Sequence, residues 1–433
     1  MKKLICIAFL ALMCVFVLCS CGEENFPFTA SAREFLYDGY VYAAETSYVT
    51  YRRADSIEAQ PLCFDPLCMH AEDCMARRHG LSSEIAVGKN RAGEICVYYT
   101  DELLDYEDIM NHEYYLYCIN MTQGTKTVVT ASKSDMINRF WLYGNDIYLN
   151  MQQSVSDEDG NIASYGNNIQ KISVDGTGLT ALMPSQEASL NICAITEIKG
   201  ETVIYWTETA DLTLYASPAD FSEKTKLAEN IRLFGSVLAD NMLYYPVENT
   251  TVTPAYTAPA HPADNNKNAD GTHTVYAERT LYDYYRLDLT KENADSELIY
   301  SGVNKPTVRE IPIWTDGEKL YIIPYAPKFL EAIAADRGGI ETGGTYQKNG
   351  LEIDYITARS GETIVEIDLA SGEWREIPTP CFDARRILGV SGGKITLQGY
   401  VVDLDRIREK LNAEGVTSNT FVFEEVQTFD IQP

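Results

Sequence analysis

Gly144-Asn-Asp-Ile-Tyr-Leu149, followed along the chain by Ile169-Gln-Lys-Ile-Ser-Val174, is the stretch of sequence that decides the fold. A turn of small and polar residues opens the first run. Both runs mix apolar with polar positions and contain β-branched residues, which indicates β-strands bounded by turns. The unit therefore predicts a tight turn, a strand and, after a gap, a second strand paired with the first.

The same unit recurs along the chain. A turn containing Gly, Asp or Asn, followed by a strand with Tyr or Ile, opens residues 37–42, 93–99, 144–149, 200–206, 240–245, 316–323 and 392–397. Early spacings are about fifty residues, which suits a four-stranded propeller blade with its loops. Blades stacked in a ring cover one another's faces. We therefore predict an all-β, seven-bladed β-propeller over residues 35–433; the spacing is also compatible with six or eight blades.

One unit carries a more specific motif. Residues 169–182 read I-x-x-I-x-x-D-G-T-G-x-x-x-L, which resembles the repeat of TolB-like propellers and of related extracytoplasmic propeller lipoproteins of anaerobic bacteria. Tyr284–Leu289 and Ile364–Leu369 are looser versions of its strand. The motif itself is present in one blade, whereas the spacing of turns and strands is similar over most of the chain. It implies a propeller with a binding or scaffold role and assigns no catalytic residue.

Three insertions interrupt the units, at Asp101–Glu113, Asn249–Arg279 and Pro327–Gly350. Their composition predicts a short helix in the first and another around Phe329–Ala335. Apolar residues at helical spacing predict a third helix at Leu404–Leu411. Long insertions usually lie on one rim of a propeller, where binding sites form.

The N-terminus resembles the export signal of bacterial lipoproteins. Two lysines precede the apolar run 4–18, which is shorter than the roughly twenty residues that a helix needs to span a bilayer. Leu18-Cys-Ser-Cys21 resembles the lipobox of these proteins. The resemblance implies a signal peptide over residues 1–20, lipid on Cys21 and a linker over residues 21–34.

Location and charge limit the classes of partner. Lipid on the new N-terminus implies an extracytoplasmic protein anchored to the cell membrane or cell surface, since each buried methylene contributes roughly 0.8 kcal/mol. The chain carries 63 acidic and 35 basic residues, a formal charge of −28. Such a chain is not expected to bind nucleic acid, because that binding rests on basic contacts to phosphates. Anionic headgroups do not attract it either, so the lipid must supply the anchoring.

Three thiols and an imidazole lie within the segment 63–74, Cys-Phe-Asp-Pro-Leu-Cys-Met-His-Ala-Glu-Asp-Cys. Thiolate and imidazole are preferred ligands of Zn²⁺, and four protein ligands make a closed, structural site. A disulfide-stapled loop and a set of free thiols are the alternatives. The candidate metal ligands are Cys63, Cys68, His70 and Cys74. The remaining mature cysteines are expected to be mostly core thiols: Cys96, Cys118, Cys193 and Cys381.

The sequence shows no nucleophile elbow, zincin helix or Asp box, so no catalytic residue is assigned. We expect a ligand-binding or scaffold propeller that recognises a glycan, a peptide or an envelope protein. The alternative is a propeller-fold carbohydrate-active enzyme, a glycoside hydrolase or lyase, with carboxylates drawn from different blades. Three carboxylates converging in the central funnel would favour the enzyme. A smooth funnel rimmed by the inserted loops would favour binding.

Overall fold

The computed structural model describes residues 28–431 apart from 57, 81–83, 104–111, 134, 157–161, 185–188, 209–210, 233, 240, 254–255, 260–268, 271, 277–278, 292–294, 304–305, 307–311, 325–339, 349–350, 359–362, 380–382 and 402–422. Strands and turns dominate these residues, and no α-helix occurs among them.

Thirty-two strands follow one another along the described chain. They are β1 Thr29–Ala30, β2 Glu34–Tyr37, β3 Tyr40–Ala44, β4 Val49–Arg53, β5 Gln60–Pro61, β6 Ile85–Lys89, β7 Ile95–Leu103, β8 Glu113–Asn120, β9 Thr125–Ser132, β10 Asp135–Tyr143, β11 Asp146–Ser156, β12 Ile162–Ser173, β13 Thr180–Ala181, β14 Leu190–Ile198, β15 Glu201–Glu208, β16 Thr213–Pro218, β17 Thr225–Ala228, β18 Val237–Ala239, β19 Met242–Thr253, β20 Tyr256–Pro259, β21 Thr272–Tyr276, β22 Arg279–Asp288, β23 Glu297–Val303, β24 Ile313–Thr315, β25 Lys319–Ile322, β26 Ile340–Lys348, β27 Leu351–Ala358, β28 Thr363–Asp368, β29 Trp374–Pro378, β30 Asp383–Ser391, β31 Lys394–Val401 and β32 Phe423–Asp430.

These strands form seven blades. In chain order the blades are β2–β5, β6–β9, β10–β13, β14–β17, β18-β19-β22-β23, β24-β25-β28-β29 and β30–β32. Neighbouring strands within a blade pair antiparallel, and we name them A to D from the inner to the outer strand. The seventh blade has strands A to C among the described residues. The seven-bladed β-propeller predicted from the sequence is confirmed.

The core lies between blades rather than within them. Each apolar cluster of the described residues joins two successive blades, from the pair one–two to the pair six–seven, and one more joins blade seven to blade one. Between blades two and three, for example, Tyr98 and Leu116 pack against Phe140 and Leu149. The alternation of apolar residues seen in the sequence thus serves to cover both faces of each blade.

The two ends of the ring differ. Antiparallel pairing places the turns between strands A and B at one end, and the connections between strands B and C at the other. We call them the turn end and the connection end. The turn end carries tight turns, such as Gly144-Asn145 between β10 and β11 and Gly392-Gly393 between β30 and β31. The connection end carries the long insertions, including the hairpins β20–β21 and β26–β27. Those insertions were expected on one rim, and the strand order places them there.

The N-terminal segment runs along the ring axis before blade one begins. β1 pairs antiparallel with β10 as the innermost strand of blade three, with Thr29 opposite Leu142. Ala32 then bridges Ile85 at the start of β6. Because β10 finishes at the turn end and β6 begins at the connection end, the segment passes from the turn end to the connection end. Residues 28–34, which the sequence assigned to a linker, therefore contact the inner strands of the ring.

The ring closes without a shared strand among the described residues. Strands β2 and β30 lie next to each other, and Val426 packs with Val41 and Ala54. The Thr428 hydroxyl donates a hydrogen bond to the Ala54 carbonyl at 2.6 Å. Among the described residues, the apolar cluster at this seam is the smallest of the seven.

Some expectations fall outside the described residues or need correction. The predicted helices around Phe329–Ala335 and Leu404–Leu411 lie outside them. For the insertion Asp101–Glu113, the described ends belong to strands β7 and β8 rather than to a helix. At the end of the last unit, Phe423 and Thr428 belong to one strand, β32, because the two Glu residues between them pair with β31 and continue the ladder.

Candidate functional site

The cysteine–histidine loop connects blades one and two. It follows β5, the last strand of blade one, and precedes β6, the first of blade two. Phe64 reaches Gly124, in the turn between β8 and β9. The end of the loop returns to blade one, where the Ala76 carbonyl accepts a hydrogen bond from the Val49 amide. The Lys126 ammonium of β9 donates to the Arg77 carbonyl at 3.0 Å. The loop is thus held by both blades.

The four predicted ligands converge within this loop. The thiol sulphurs of Cys63, Cys68 and Cys74 and a ring nitrogen of His70 all lie within 4.8 Å of one another. The Nδ1 atom of His70 is 3.4 Å from the Cys74 sulphur. In a tetrahedral zinc site, bonds of about 2.3 Å to sulphur and 2.0 Å to nitrogen place neighbouring ligand atoms about 3.5–3.8 Å apart. The cluster can hold a metal ion after shifts of at most about 1 Å.

Local hydrogen bonds explain why residues 63–74 fold into a compact turn, which we call the knuckle. The Asp65 carboxylate accepts from the Leu67 amide at 2.9 Å, and the Asp65 carbonyl accepts from the Cys68 amide. The amide of His70 points at the Cys68 sulphur, 3.3 Å away. Side-chain acceptors of this kind stabilise turns.

His70 has an unusual backbone conformation. Its φ is +53°, the left-handed region that costs a non-glycine residue roughly 1–2 kcal/mol. The Tyr48 hydroxyl of blade one donates to the His70 carbonyl at 2.7 Å and holds it there. This conformation directs the imidazole to the thiols.

Burial differs across the cluster. Cys74 is buried against the interface of blades one and two, and burial raises the pKa of its thiol to about 11. The tip of the knuckle is open: Leu67 is 86% exposed and Met69 is 89% exposed. Both line a cavity of about 500 Å³ beside the thiols. Solvent therefore reaches the cluster from the tip.

The described cysteines of the chain are free thiols. Cys96, Cys118 and Cys193 are buried, which confirms their expected place in the core. Cys381 lies outside the described residues, as do Cys21 and the predicted signal peptide. No helix among residues 28–431, as far as the structure describes them, has the length and hydropathy to cross a bilayer.

A second polar group lies at the ring axis and was missed by the sequence analysis. The Ser31 hydroxyl donates to the Glu84 carboxylate at 2.6 Å and accepts from the Phe140 amide at 3.1 Å. The Arg139 guanidinium lies 3.9 Å from the same carboxylate and donates to Asn191 at 2.9 Å. Three blades and the N-terminal segment thus meet in one network.

The charges on the axis are balanced. Burial lowers the pKa of the Arg139 and Arg386 guanidiniums, and the nearby Glu84 and Glu34 oppose that shift. Glu84 lies beside the Arg139 guanidinium. A close group of three carboxylates, the arrangement that would favour a carbohydrate-active enzyme, is not found among the described residues. A signal existed in the sequence: Arg139 directly precedes the apolar run Phe140–Tyr143 that ends β10.

Comparisons with known proteins give structural neighbours only. No protein-family model matches the sequence, and no curated protein matches it. A puromycin-hydrolysing peptidase of Mycobacterium tuberculosis is similar with a TM-score of 0.48 and 9% identity, over 91% of this chain and 53% of that one. TolB of Acinetobacter baumannii gives 0.33 and 8%, over 82% and 64%. The propeller domain of the Trilobed protease of Pyrococcus furiosus gives 0.32 and 12%, over 72% and 91%.

The domain of the Trilobed protease is a β-propeller. This chain spans about half the length of the peptidase. Identities this low concern the fold and carry no activity to this chain.

Proposed function

We propose that the chain is a lipid-anchored extracytoplasmic propeller that presents its connection end to a ligand. The observation that carries the proposal is the separation of the two ends. The N-terminal segment leaves the ring at the turn end, where Thr29 pairs with the last part of β10. The long insertions lie at the opposite end. A protein that is anchored at one end and carries long inserted loops at the other is suited to bind partners away from its membrane.

Chain length restricts how the ring can sit. Seven peptide units separate Cys21 from Phe28, and they span at most about 25 Å when fully extended. Strand β10 has nine residues, about 30 Å along the axis at 3.3 Å per residue. A tether of that reach, attached at the turn end, is too short to pass around the ring. The turn end should therefore face the membrane.

Two measurements test the anchor and the orientation. In bacterial cells, the full chain should incorporate labelled palmitate and enter the membrane fraction, whereas C21A should do neither. For orientation, a dye is attached through an encoded azide-bearing residue at Ala92 in the turn end or at Thr46 in the connection end. On vesicles with acceptor-labelled headgroups, energy transfer should be higher from Ala92. Equal or reversed transfer would overturn the orientation while leaving the anchor intact.

Ligand binding is tested at the connection end. Thr253 and Arg279 are paired neighbours, so a two-residue Asn-Gly turn can replace residues 254–278 and leave β19 and β22 joined. The chain and this variant are screened against glycans, peptides and envelope proteins, with A92K as the control at the turn end. We expect the turn replacement to weaken binding at least tenfold and A92K to leave it unchanged. Loss of binding in A92K alone would contradict the proposal.

A further inference from the structure

We propose that Cys63, Cys68, His70 and Cys74 bind one structural Zn²⁺ that fastens the connection between blades one and two. The proposal does not depend on the membrane anchor or on any ligand of the connection end. It rests on the positions of the four ligand atoms and on how the chain holds them.

The donor set selects the metal. Three thiolates and one imidazole form a soft, tetrahedral environment, which favours Zn²⁺ over Ca²⁺ or Mg²⁺ and their oxygen ligands. On binding, the three thiols lose three protons to solvent and the sulphurs form three Zn–S bonds, while neutral His70 donates a lone pair. The bound site carries a net charge of −1. Lys126, whose ammonium donates to the Arg77 carbonyl at the end of the loop, interacts electrostatically with Cys74 and supplies positive charge beside the site.

His70 distinguishes a metal site from a disulfide. A disulfide uses two of the three sulphurs and gives the imidazole no part. In the structure His70 holds a left-handed backbone with its Nδ1 atom 3.4 Å from Cys74, and Tyr48 of blade one fixes its carbonyl. The left-handed conformation of His70 costs free energy, yet Tyr48 holds it and it directs Nδ1 to the three thiols. A fourth metal bond, from Nδ1, explains why this conformation is kept.

The place of the cluster explains what the ion does. The described residues between β5 and β6, 62–80 and 84, contain no strand, and connections of that length without secondary structure are uncommon in compact domains. Cys74 is buried in the apolar interface of the two blades, and Cys63 and Cys68 are half-buried against the same apolar cluster. An ion that joins the three thiols fastens separate turns of the loop to one another and to that interface. Four protein ligands fill the shell, so no position remains for a substrate.

The test measures metal content and local protection. The full chain, purified in detergent under reducing conditions and reloaded with Zn²⁺, should contain one zinc per chain by elemental analysis. Replacement by Co²⁺ should give the strong visible absorption of a tetrahedral cobalt thiolate. C68S and H70Q should each lower zinc affinity at least tenfold, and the C96S control, which removes a buried thiol of blade two outside the cluster, should keep one zinc.

Hydrogen exchange distinguishes a metal ion that stabilises the loop from one that binds without stabilising it. Chelation of the wild-type chain should increase amide exchange over residues 62–78 and leave strands of blades four and five unchanged. The proposal is overturned if the reduced wild type holds no stoichiometric zinc, or if C68S and H70Q bind it as tightly as C96S. A disulfide within 63–74, found by mass spectrometry in chain prepared without reductant and resistant to zinc loading after reduction, would also overturn it.

Discussion

Gly176 and Gly178 show what decides the cost of a substitution at a single position. Both have positive φ, +80° and +73°. A Cβ atom on Gly176 would lie 2.7 Å from the Val129 carbonyl oxygen of blade two, whereas one on Gly178 would meet nothing within 4 Å. The D-G-T-G motif thus contains one glycine needed for its backbone alone and one also needed for a close approach between blades.

These two glycines give a matched pair of variants. We expect G178A to lower the free energy of unfolding by about 1 kcal/mol, the cost of a left-handed alanine, and G176A to lower it by clearly more because the blades must also separate. Thermal melting of both variants beside the wild type measures the difference. Equal melting temperatures for the two variants would contradict the close contact with Val129.

The axial network predicts a second effect of single residues. R139M leaves the Glu84 carboxylate buried without its guanidinium, and we expect a loss of about 3–5 kcal/mol, the usual result of removing one partner of a buried pair. The exposed pair of Arg53 and Asp55 supplies the control, since R53M should leave stability nearly unchanged. Urea unfolding of the two variants measures this. Similar midpoints for both would mean that the axial pair contributes no more than a surface pair.

At the scale of elements, an Asn or Asp side chain at the end of strand C recurs in several blades. Asp175, Asp288 and Asp368 each accept amide hydrogen bonds from the turn that follows, and Asn120 does the same in blade two. Such side chains satisfy turn amides and fix the entry to strand D. The repeat seen in the sequence is therefore also a repeat of turn chemistry.

Asp288 gives a pH prediction for this element. Hydrogen bonds from Thr290 and the nearby Lys291 lower its pKa to about 2, below the value of about 3.9 in an unfolded chain. Its contribution to stability is thus complete above about pH 4 and is lost as pH falls towards 2. We expect the melting temperature of D288N to lie below wild type at pH 6 and to approach it at pH 2.5. A constant difference at both pH values would contradict this assignment.

The pairing of two strands across an insertion could be predicted from the sequence, whereas the position of the innermost strand, β1, could not. The second strand of each blade follows a turn that contains glycine or aspartate. The opening at 240–245 and the strand-like run at 284–289 are both visible in the sequence, and they pair as β19 and β22 despite the intervening hairpin. Strand β1 has two residues and no pattern of its own. Its position depends on pairing with β10, more than a hundred residues later in the chain. Local periodicity in the sequence cannot predict such a distant pairing. The four ligands were predicted from their types and spacing, but their convergence depends on turns and on Tyr48, which precedes β4 in blade one.

At the scale of the whole molecule, we expect the seam between blades seven and one to be the weakest part of the ring. Among the described residues, it combines the smallest apolar cluster with the hydrogen bond from Thr428 to Ala54. Local opening should begin where buried apolar contacts are fewest.

Hydrogen exchange of a seam variant tests this. T428V removes the hydroxyl donor and should cost about 1 kcal/mol, with faster exchange in β2, β30 and β32 and no change in blade four. T225V, on the exposed outer strand of blade four, is the control and should leave the seam unchanged. Uniform exchange across all blades in T428V would show that the ring opens as one unit instead.

The axial path of the N-terminal segment also sets an order of events during folding. The hydrogen bond between Ser31 and Phe140 joins residues 109 positions apart, and that between Thr428 and Ala54 joins residues 374 apart. Contacts so distant in sequence are slow to form because long loops must close first. Because a chain is synthesised from its N-terminus, residues 28–34 have no permanent place until blade three has been made. We expect the earliest stable nucleus to form in blades two and three. Residues 28–34 should become ordered on that nucleus, and strand β32 should pack last and close the ring.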